Sequence, residues 1–282
     1  MARGAVLVTG ATGTVGASVV TELLAAGEPV RAAVRRPATP APGGAESVRF
    51  DFADPASWSA AFEGVDRLFL MRPPAISDVT TYLQPVIRLA AERGLRQVVF
   101  LSVLGVNRLL PHWRVEQDIA AAGLPYTFLR LSFFAQNLSG AYRDDIAKHH
   151  RIRLASGRGR TSFVDTRDVA AVAALALRSP VEHAGAYTLT GPAALTYHQV
   201  ASLLSAELGR PIDYQPIGLL RYRRELLAAG LEEPYVNVQL AINVVAALGR
   251  AGPVTSDVER LLGRPATPLA RFIAEYAAAW RP

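Results

Sequence analysis

The 282-residue chain carries 30 Lys and Arg against 24 Asp and Glu, a formal net charge of +6, with 50% of its residues hydrophobic and 19% charged. That is globular composition, which excludes a disordered chain, and the length suits a nucleotide-binding core with a smaller lobe attached. There is no cysteine, which excludes disulfides, thiolate catalysis and cysteine-ligated metals.

Lys148 is the only lysine, so the positive charge rests on arginines. They are scattered, with the densest groups at Arg151, Arg153, Arg158, Arg160 and at Arg221, Arg223, Arg224. This reads as solvated faces plus phosphate-binding positions; a nucleic-acid partner would favour one clustered basic face. The histidines show no metal-ligand spacing, and the adjacent His149 and His150 would point to different faces of a helix, so no metal is expected. The first apolar run, residues 5–8, is too short for the core of a signal peptide. No later stretch has the apolar length to span a bilayer. The expectation is a cytoplasmic protein with a small-molecule substrate, no nucleic-acid or membrane partner, and a homodimer as the habit of its fold group.

In chain order, residues 5–9 read as a buried strand and 15–26 as a helix closed by Gly27. Strands are expected at 30–34, 48–50 and 67–71, and a long helix at 79–93 ending at Gly94. A strand at 97–101, a helix at 112–122 stopped by Gly123 and a strand at 126–131 complete the first half. Repeated strand–helix alternation with right-handed crossovers gives a parallel sheet covered on both faces, so the fold class is α/β, a Rossmann-type doubly wound sheet. The second half is less regular. Helical patterns run over 168–177 with Asp168 as N-cap, from Thr196 to about 208, and over 218–229, 235–248 and 269–279, with a strand at 186–189. The expected division is a dinucleotide-binding domain over 1–150 and a mostly helical substrate lobe over 151–282. The lobe would pack over the sheet's carboxyl edge, with some of its segments returning to the sheet.

The strongest signal is Val8-Thr9-Gly10-Ala11-Thr12-Gly13-Thr14-Val15-Gly16. Gly10 permits the tight turn leaving the strand, Gly13 lets backbone N–H groups approach a pyrophosphate, and Gly16 lets the helix pack close to the sheet. Gly10, Thr12, Gly13, Thr14, Val15 and Gly16 are therefore the candidate diphosphate contacts, at the positive end of the helix. The spacing is GxxGxxG rather than the commoner GxGxxG, but the motif follows a strand and opens a helix in the first βαβ unit. A glycine-rich turn without a ligand is the plainer alternative. An acidic residue at the end of the second strand would bond a ribose hydroxyl; this chain has Arg35-Arg36 there. Two guanidinium groups suit a 2′-phosphate, which favours NADPH over NADH. The plainer alternative is a surface arginine pair.

Further stretches join these two: Phe50-Asp51-Phe52, Leu70-Met71-Arg72-Pro73-Pro74, His112-Trp113-Arg114-Val115-Glu116, the run from Leu124 to Asn137, the run from Phe163 to Ala170, and Leu189-Thr190-Gly191-Pro192. Over nearly its whole length the chain resembles the NmrA-like atypical short-chain dehydrogenases/reductases. That group includes NADPH-dependent quinone reductases, reductases of secondary metabolism, and redox-sensing regulators that bind the dinucleotide without turning it over. The resemblance implies that Asp51 and Phe52 border the adenine and that Met71, Arg72 and Pro73 line the cofactor's middle. It places Ser102, Ser132, Phe133 and Phe134 near the nicotinamide. Loop capping by Asp51 and core packing by Phe133 and Phe134 are the alternatives.

Typical short-chain dehydrogenases use a YxxxK pair. Here Asp144 stands four before the only lysine, Lys148, so this chain has no such pair. In the family pattern the lysine position falls on His112, four residues before Glu116, a spacing that stacks both side chains on one helix face. A carboxylate there would raise the imidazole's pKa, giving a cation at the ribose or a general acid; an ion pair without catalytic role is the alternative. Hydride transfer to a quinone leaves a stabilised oxyanion that water can protonate, whereas an isolated ketone needs a placed acid. Quinone, enone or iminium acceptors are therefore favoured. Tyr142, Tyr222 and Tyr235 are candidate substitutes for the missing tyrosine. Trp113, Phe134, Asn137, Tyr222 and Tyr235, with Leu138, are candidates for an apolar substrate mouth. The expected activity is an NADPH-dependent reductase of an electron-poor small molecule. The alternatives are an NADP(H)-sensing regulator and a non-redox biosynthetic enzyme on the same fold.

Overall fold

The structure, a computed structural model, describes residues 4–36, 39–179 and 182–281. Strand β1 (Ala5–Val8) runs through the glycine loop into α1 (Thr14–Ala25), followed by β2 (Val30–Val34), β3 (Glu46–Arg49), the one-turn α2 (Trp58–Ala61) and β4 (Val65–Met71). Then come α3 (Val79–Tyr82), α4 (Gln84–Glu92), β5 (Gln97–Val103), α5 (Pro111–Ala121) and β6 (Tyr126–Leu131). The second half holds α6 (Arg143–His149), β7 (Arg151–Ile152), β8 (Arg160–Thr161), α7 (Thr166–Arg178), β9 (Gly185–Leu189), β10 (Leu195–Thr196) and α8 (Tyr197–Leu208). It closes with β11 (Asp213–Tyr214), α9 (Leu219–Ala228), α10 (Glu233–Ala247), α11 (Asp257–Leu262) and α12 (Leu269–Glu275).

The helix expected over 79–93 is two helices meeting at Leu83. Pro85 lies in the first turn of α4 and has no amide to continue the ladder from α3. Strands β7, β8, β10 and β11 are two residues long, too short to carry an alternation that the sequence could betray.

The chain divides into two compact units: Met1–Leu131 with Thr166–Thr188, and Ser132–Asp165 with Leu189–Pro282. This division differs in place from the one expected at residue 150. Ala135, Leu138, Tyr142 and Ile146 are buried in the second unit's core with Phe163, Tyr197 and Phe272, so residues 132–149 belong with it.

The first unit is the seven-stranded sheet, in the order β3-β2-β1-β4-β5-β6-β9, parallel in every pair from β3 through β6. The order reverses at β1, which lies between β2 and β4, and ligands of open α/β sheets bind outside the carboxyl ends of the strands at such a reversal. Helix α1 buries Val15, Val19, Val20 and Leu23, a helical spacing that turns one face inward. At the opposite, amino end of the strands, Arg67 is buried with Glu28 at 2.8 Å and Asp66 at 2.7 Å, and donates to the Leu177 and Gly4 carbonyls, tying α7 to the sheet. No helix among the described residues is long and apolar enough to cross a membrane.

A Cβ on Gly16 would stand 2.1 Å from the Gly10 carbonyl oxygen and 3.0 Å from the Ala11 Cα, both backbone atoms that cannot swing aside. Gly16→Ala is expected to lower stability by about 1–3 kcal/mol, read from the urea midpoint. An unchanged midpoint would mean that α1 and the loop can separate freely.

Candidate functional site

The carboxyl ends of β1 and β4 are joined by Thr9. Its amide and its hydroxyl both donate to the Phe69 carbonyl at 3.0 Å, and its hydroxyl oxygen accepts from the Met71 amide at 2.8 Å. The chain then turns at Gly10, whose φ is +64° and whose added Cβ would strike the Met71 methyl at 2.1 Å. Gly13 donates to the Gly10 carbonyl at 2.9 Å and is the N-cap of α1, with no side-chain hydrogen bond closing that end and no acidic residue in the first turn. Thr12 and Thr14 are exposed beside it, while Val15 and Gly16 are buried. An α-helix N-terminus left open, with glycine where a side chain would stand, fits a diphosphate: its N–H groups and dipole favour an anion.

Arg35 and Arg36 follow β2 directly, are both exposed, and enter no ion pair among the described residues. The nearby acids are committed elsewhere: Glu46 accepts from Arg31 at 2.7 Å and Asp54 from Arg49 at 2.6 Å. The carboxylate of Asp51 caps its own loop by accepting from the Ala53 amide at 2.9 Å. Phe52 is buried, edge-on to Phe50 at 5.0 Å.

Past the end of β4, Arg72 donates from Nη1 to the carbonyls of Pro73 at 3.1 Å, Pro74 at 3.3 Å and Ile76 at 2.5 Å. It meets no carboxylate among the described residues, and burial pulls its pKa below the usual arginine value. Its Nε–H points at Nε2 of His112, 3.4 Å away.

That contact corrects the expected pairing of His112 with Glu116. The two do share a face of α5, but Glu116 is 2% exposed and turned toward the sheet. It accepts from the Ser102 hydroxyl at 2.6 Å and from Arg130 Nη2 at 2.6 Å and Nε at 3.1 Å. Ser102 on β5 and Arg130 on β6 are register partners, so neighbouring strands bring both to the same carboxylate. With Glu116 taken, burial and then the charge of Arg72 lower the His112 pKa from 6.5 to about 4, the reverse of the expected rise. Arg130 is the partner of Glu116 that spacing along the helix did not reveal. A lone charge inside the apolar strand YTFLRL was the signal, since such a charge needs a buried partner.

Trp113, also on α5, lies under the Arg108 guanidinium at 5.9 Å from its ring centre. The remaining candidates belong to the second unit. Ser132 accepts from the Ser162 hydroxyl at 2.9 Å, Phe133 meets Phe163 edge-on at 5.9 Å, and Phe134 bridges to Val164. Asn137 closes a short turn, its carbonyl accepting from the Tyr142 amide at 2.9 Å. Leu138 is fully buried, which removes it from any mouth, and Tyr222 packs in the same core. Burial raises the phenol pKa of Tyr142 and Tyr222 above the ordinary tyrosine value, making both poorer acids. Tyr235 is 38% exposed and accepts from Gln239 at 2.9 Å, while Gln239 accepts from Tyr142 at 3.5 Å.

The His112 result has a pH consequence. The unfolded imidazole titrates near 6.5 and the folded one near 4, so between those values the unfolded chain holds more protons. Stability therefore falls as pH is lowered through that interval and suffers no such loss above it. In H112Q the urea midpoint should decline less between pH 6.5 and 4 than in the parent chain; parallel profiles would show that the imidazole titrates normally.

Among known proteins, the NAD(P)H azoreductase of Xenophilus azovorans is 32% identical, covering 98% of this chain and 99% of its own. The (4-alkanoyl-5-oxo-2,5-dihydrofuran-3-yl)methyl phosphate reductase of Streptomyces griseus is 34% identical over 98% of this chain and 99% of its own. Of solved structures, the NADPH-dependent quinone oxidoreductase QOR2 of Escherichia coli, complexed with NADPH, matches with a TM-score of 0.84 at 26% identity, covering 96% of this chain and 99% of that one. The named relatives are oxidoreductases built on the same fold. A sequence model of the NmrA-like family matches residues 2–271, and the chain belongs to that family.

Proposed function

We propose that this chain is an NADPH-dependent reductase that passes hydride to an electron-poor, conjugated small molecule of the quinone, enone or iminium type. The observation that carries this reading is the open amino end of α1 at the sheet's reversal point, beside an arginine pair that has no carboxylate partner among the described residues. Gly10, Thr12, Gly13, Thr14, Val15 and Gly16 would hold the diphosphate, and Arg35 with Arg36 the 2′-phosphate, through charge-assisted hydrogen bonds that a neutral ribose cannot match. When bound, the nicotinamide supplies hydride from its C4.

The chain's own residues do the rest by binding and positioning. Arg72 would add positive charge past the end of β4, next to the diphosphate. The Ser102 proton is engaged by Glu116, so toward a ligand this serine acts as an acceptor rather than as an acid. Arg130 balances Glu116 and holds β5, β6 and α5 in one arrangement beneath the site. No Tyr–Lys pair stands ready to protonate a basic alkoxide, which supports acceptors whose reduced oxygen or nitrogen is stabilised by conjugation. The similar proteins, an azoreductase, a quinone oxidoreductase and an alkanoyl-oxo-dihydrofuranyl methyl phosphate reductase, act on acceptors of this kind and support the same choice.

Two measurements test the reading. Mixed with NADPH and a panel of quinones and enones, the protein should deplete the nicotinamide absorbance with at least one acceptor. Tight NADP(H) binding without turnover on any of them would replace the reductase with a sensor. Arg35→Ala with Arg36→Ala should weaken NADPH by about 100-fold, taking each of the two charge-assisted contacts at about 1.4 kcal/mol, and leave NADH within about 3-fold. Equal losses for both coenzymes would overturn the 2′-phosphate assignment.

A further inference from the structure

The contact between Arg72 and His112 was not anticipated by any motif, and the two residues bear opposite constraints. Among the described residues Arg72 is a cation that meets no carboxylate. Nη1 is spent on three backbone carbonyls of its own loop, and the shortest of those bonds is 2.5 Å. The bond from Nε to the imidazole, at 3.4 Å, is the longest and weakest of the set. His112, for its part, cannot carry a proton on Nε2 while a guanidinium N–H points at that atom, because the lone pair is the acceptor.

The surroundings of His112 leave Arg72 as the charge that decides its state. On α5, Glu116 one turn on is held by Ser102 and Arg130, and Asp118 accepts from Arg114 and Gln84. From β5 the neighbour is Phe100, ring centre at 6.1 Å, which does not titrate. Trp113 next in sequence is engaged with Arg108. From the β4 end the group that faces the imidazole is Arg72.

We propose that Arg72 gates the protonation of His112, so that an anionic dinucleotide drawing the guanidinium toward its phosphates frees Nε2 and His112 takes up a proton as the ligand binds. This rests on the dinucleotide reading above. The sign follows from electrostatics: phosphate charge neutralises the cation that repels the imidazolium and adds attraction for it. The protein then enters the ligand-bound state with a proton already stored next to the cleft, a positioning role for Arg72 that acts through His112.

Isothermal titration of NADPH into the protein at about pH 5.5, where a partial rise of the imidazole from about 4 is read as uptake, in buffers of different ionisation enthalpy, counts protons exchanged on binding. Uptake of roughly 0.3–0.7 proton per ligand is expected, and it should vanish in H112Q while NADPH still binds. Any contribution from the ligand's own 2′-phosphate is common to both proteins and cancels in the difference. Independently, the His112 ring signal, assigned in the NMR spectrum by its loss in H112Q, should titrate measurably higher in ligand-free R72M than in the parent, since the repulsive charge is gone while burial remains; R72Q serves if R72M does not fold. Binding with the same proton count in H112Q, or an unmoved His112 titration in both Arg72 variants, overturns the gate. Absence of NADPH binding to the parent chain overturns instead the dinucleotide reading, and with it the linkage.

Discussion

The arrangement depends on one close backbone approach, the first turn of α1 against the carbonyl of Gly10. Because Gly16 has no side chain, the helix starts where the strand ends, and its unsatisfied N–H groups lie at the carboxyl edge of the sheet rather than above one face. Thr9 secures the other side of that edge by binding the backbone of β4 at two points. A helix dipole falls off within a turn, so a displacement by even one methyl group would move the positive end away from the crevice that the strand order creates.

Around that point the charges follow a consistent plan. At the amino end of the sheet Arg67 is neutralised by Glu28 and Asp66, and at the flanks Arg31, Arg49 and Arg130 each hold a carboxylate. Arg35, Arg36 and Arg72, at the carboxyl ends of β2 and β4, hold none among the described residues. An exposed arginine needs no carboxylate in water, but Arg72 is partly buried, and the bonds of its Nη1 go to backbone carbonyls rather than to an anion. The carboxylate that sequence spacing offered to His112 is instead consumed by Ser102 and Arg130, which makes Glu116 a brace of the sheet.

Much of this was legible beforehand where the code is local. The strand run before Gly10, the glycine spacing and the arginines after β2 are read from adjacent residues, and the elements they announced are present with no end shifted by more than one position. Asp51 caps its own loop, the local alternative that its position also allowed, and Phe52 packs edge-on to Phe50. The break at Pro85 is likewise written in the chain, although the apolar period continues through it.

By itself, then, the amino-acid sequence determined the α/β class, the glycine loop between β1 and α1, the arginine pair after β2 and the lack of a YxxxK pair, since each depends on residue type and short-range spacing. Tertiary structure alone decided which partner each charged side chain takes. Glu116 is four residues from His112 and fourteen from both Ser102 and Arg130, yet it bonds the distant two, because parallel pairing of β5 and β6 sets Ser102 beside Arg130 under α5. His112 meets Arg72, forty residues away, for the same reason: the sheet brings strand ends together that the chain keeps apart.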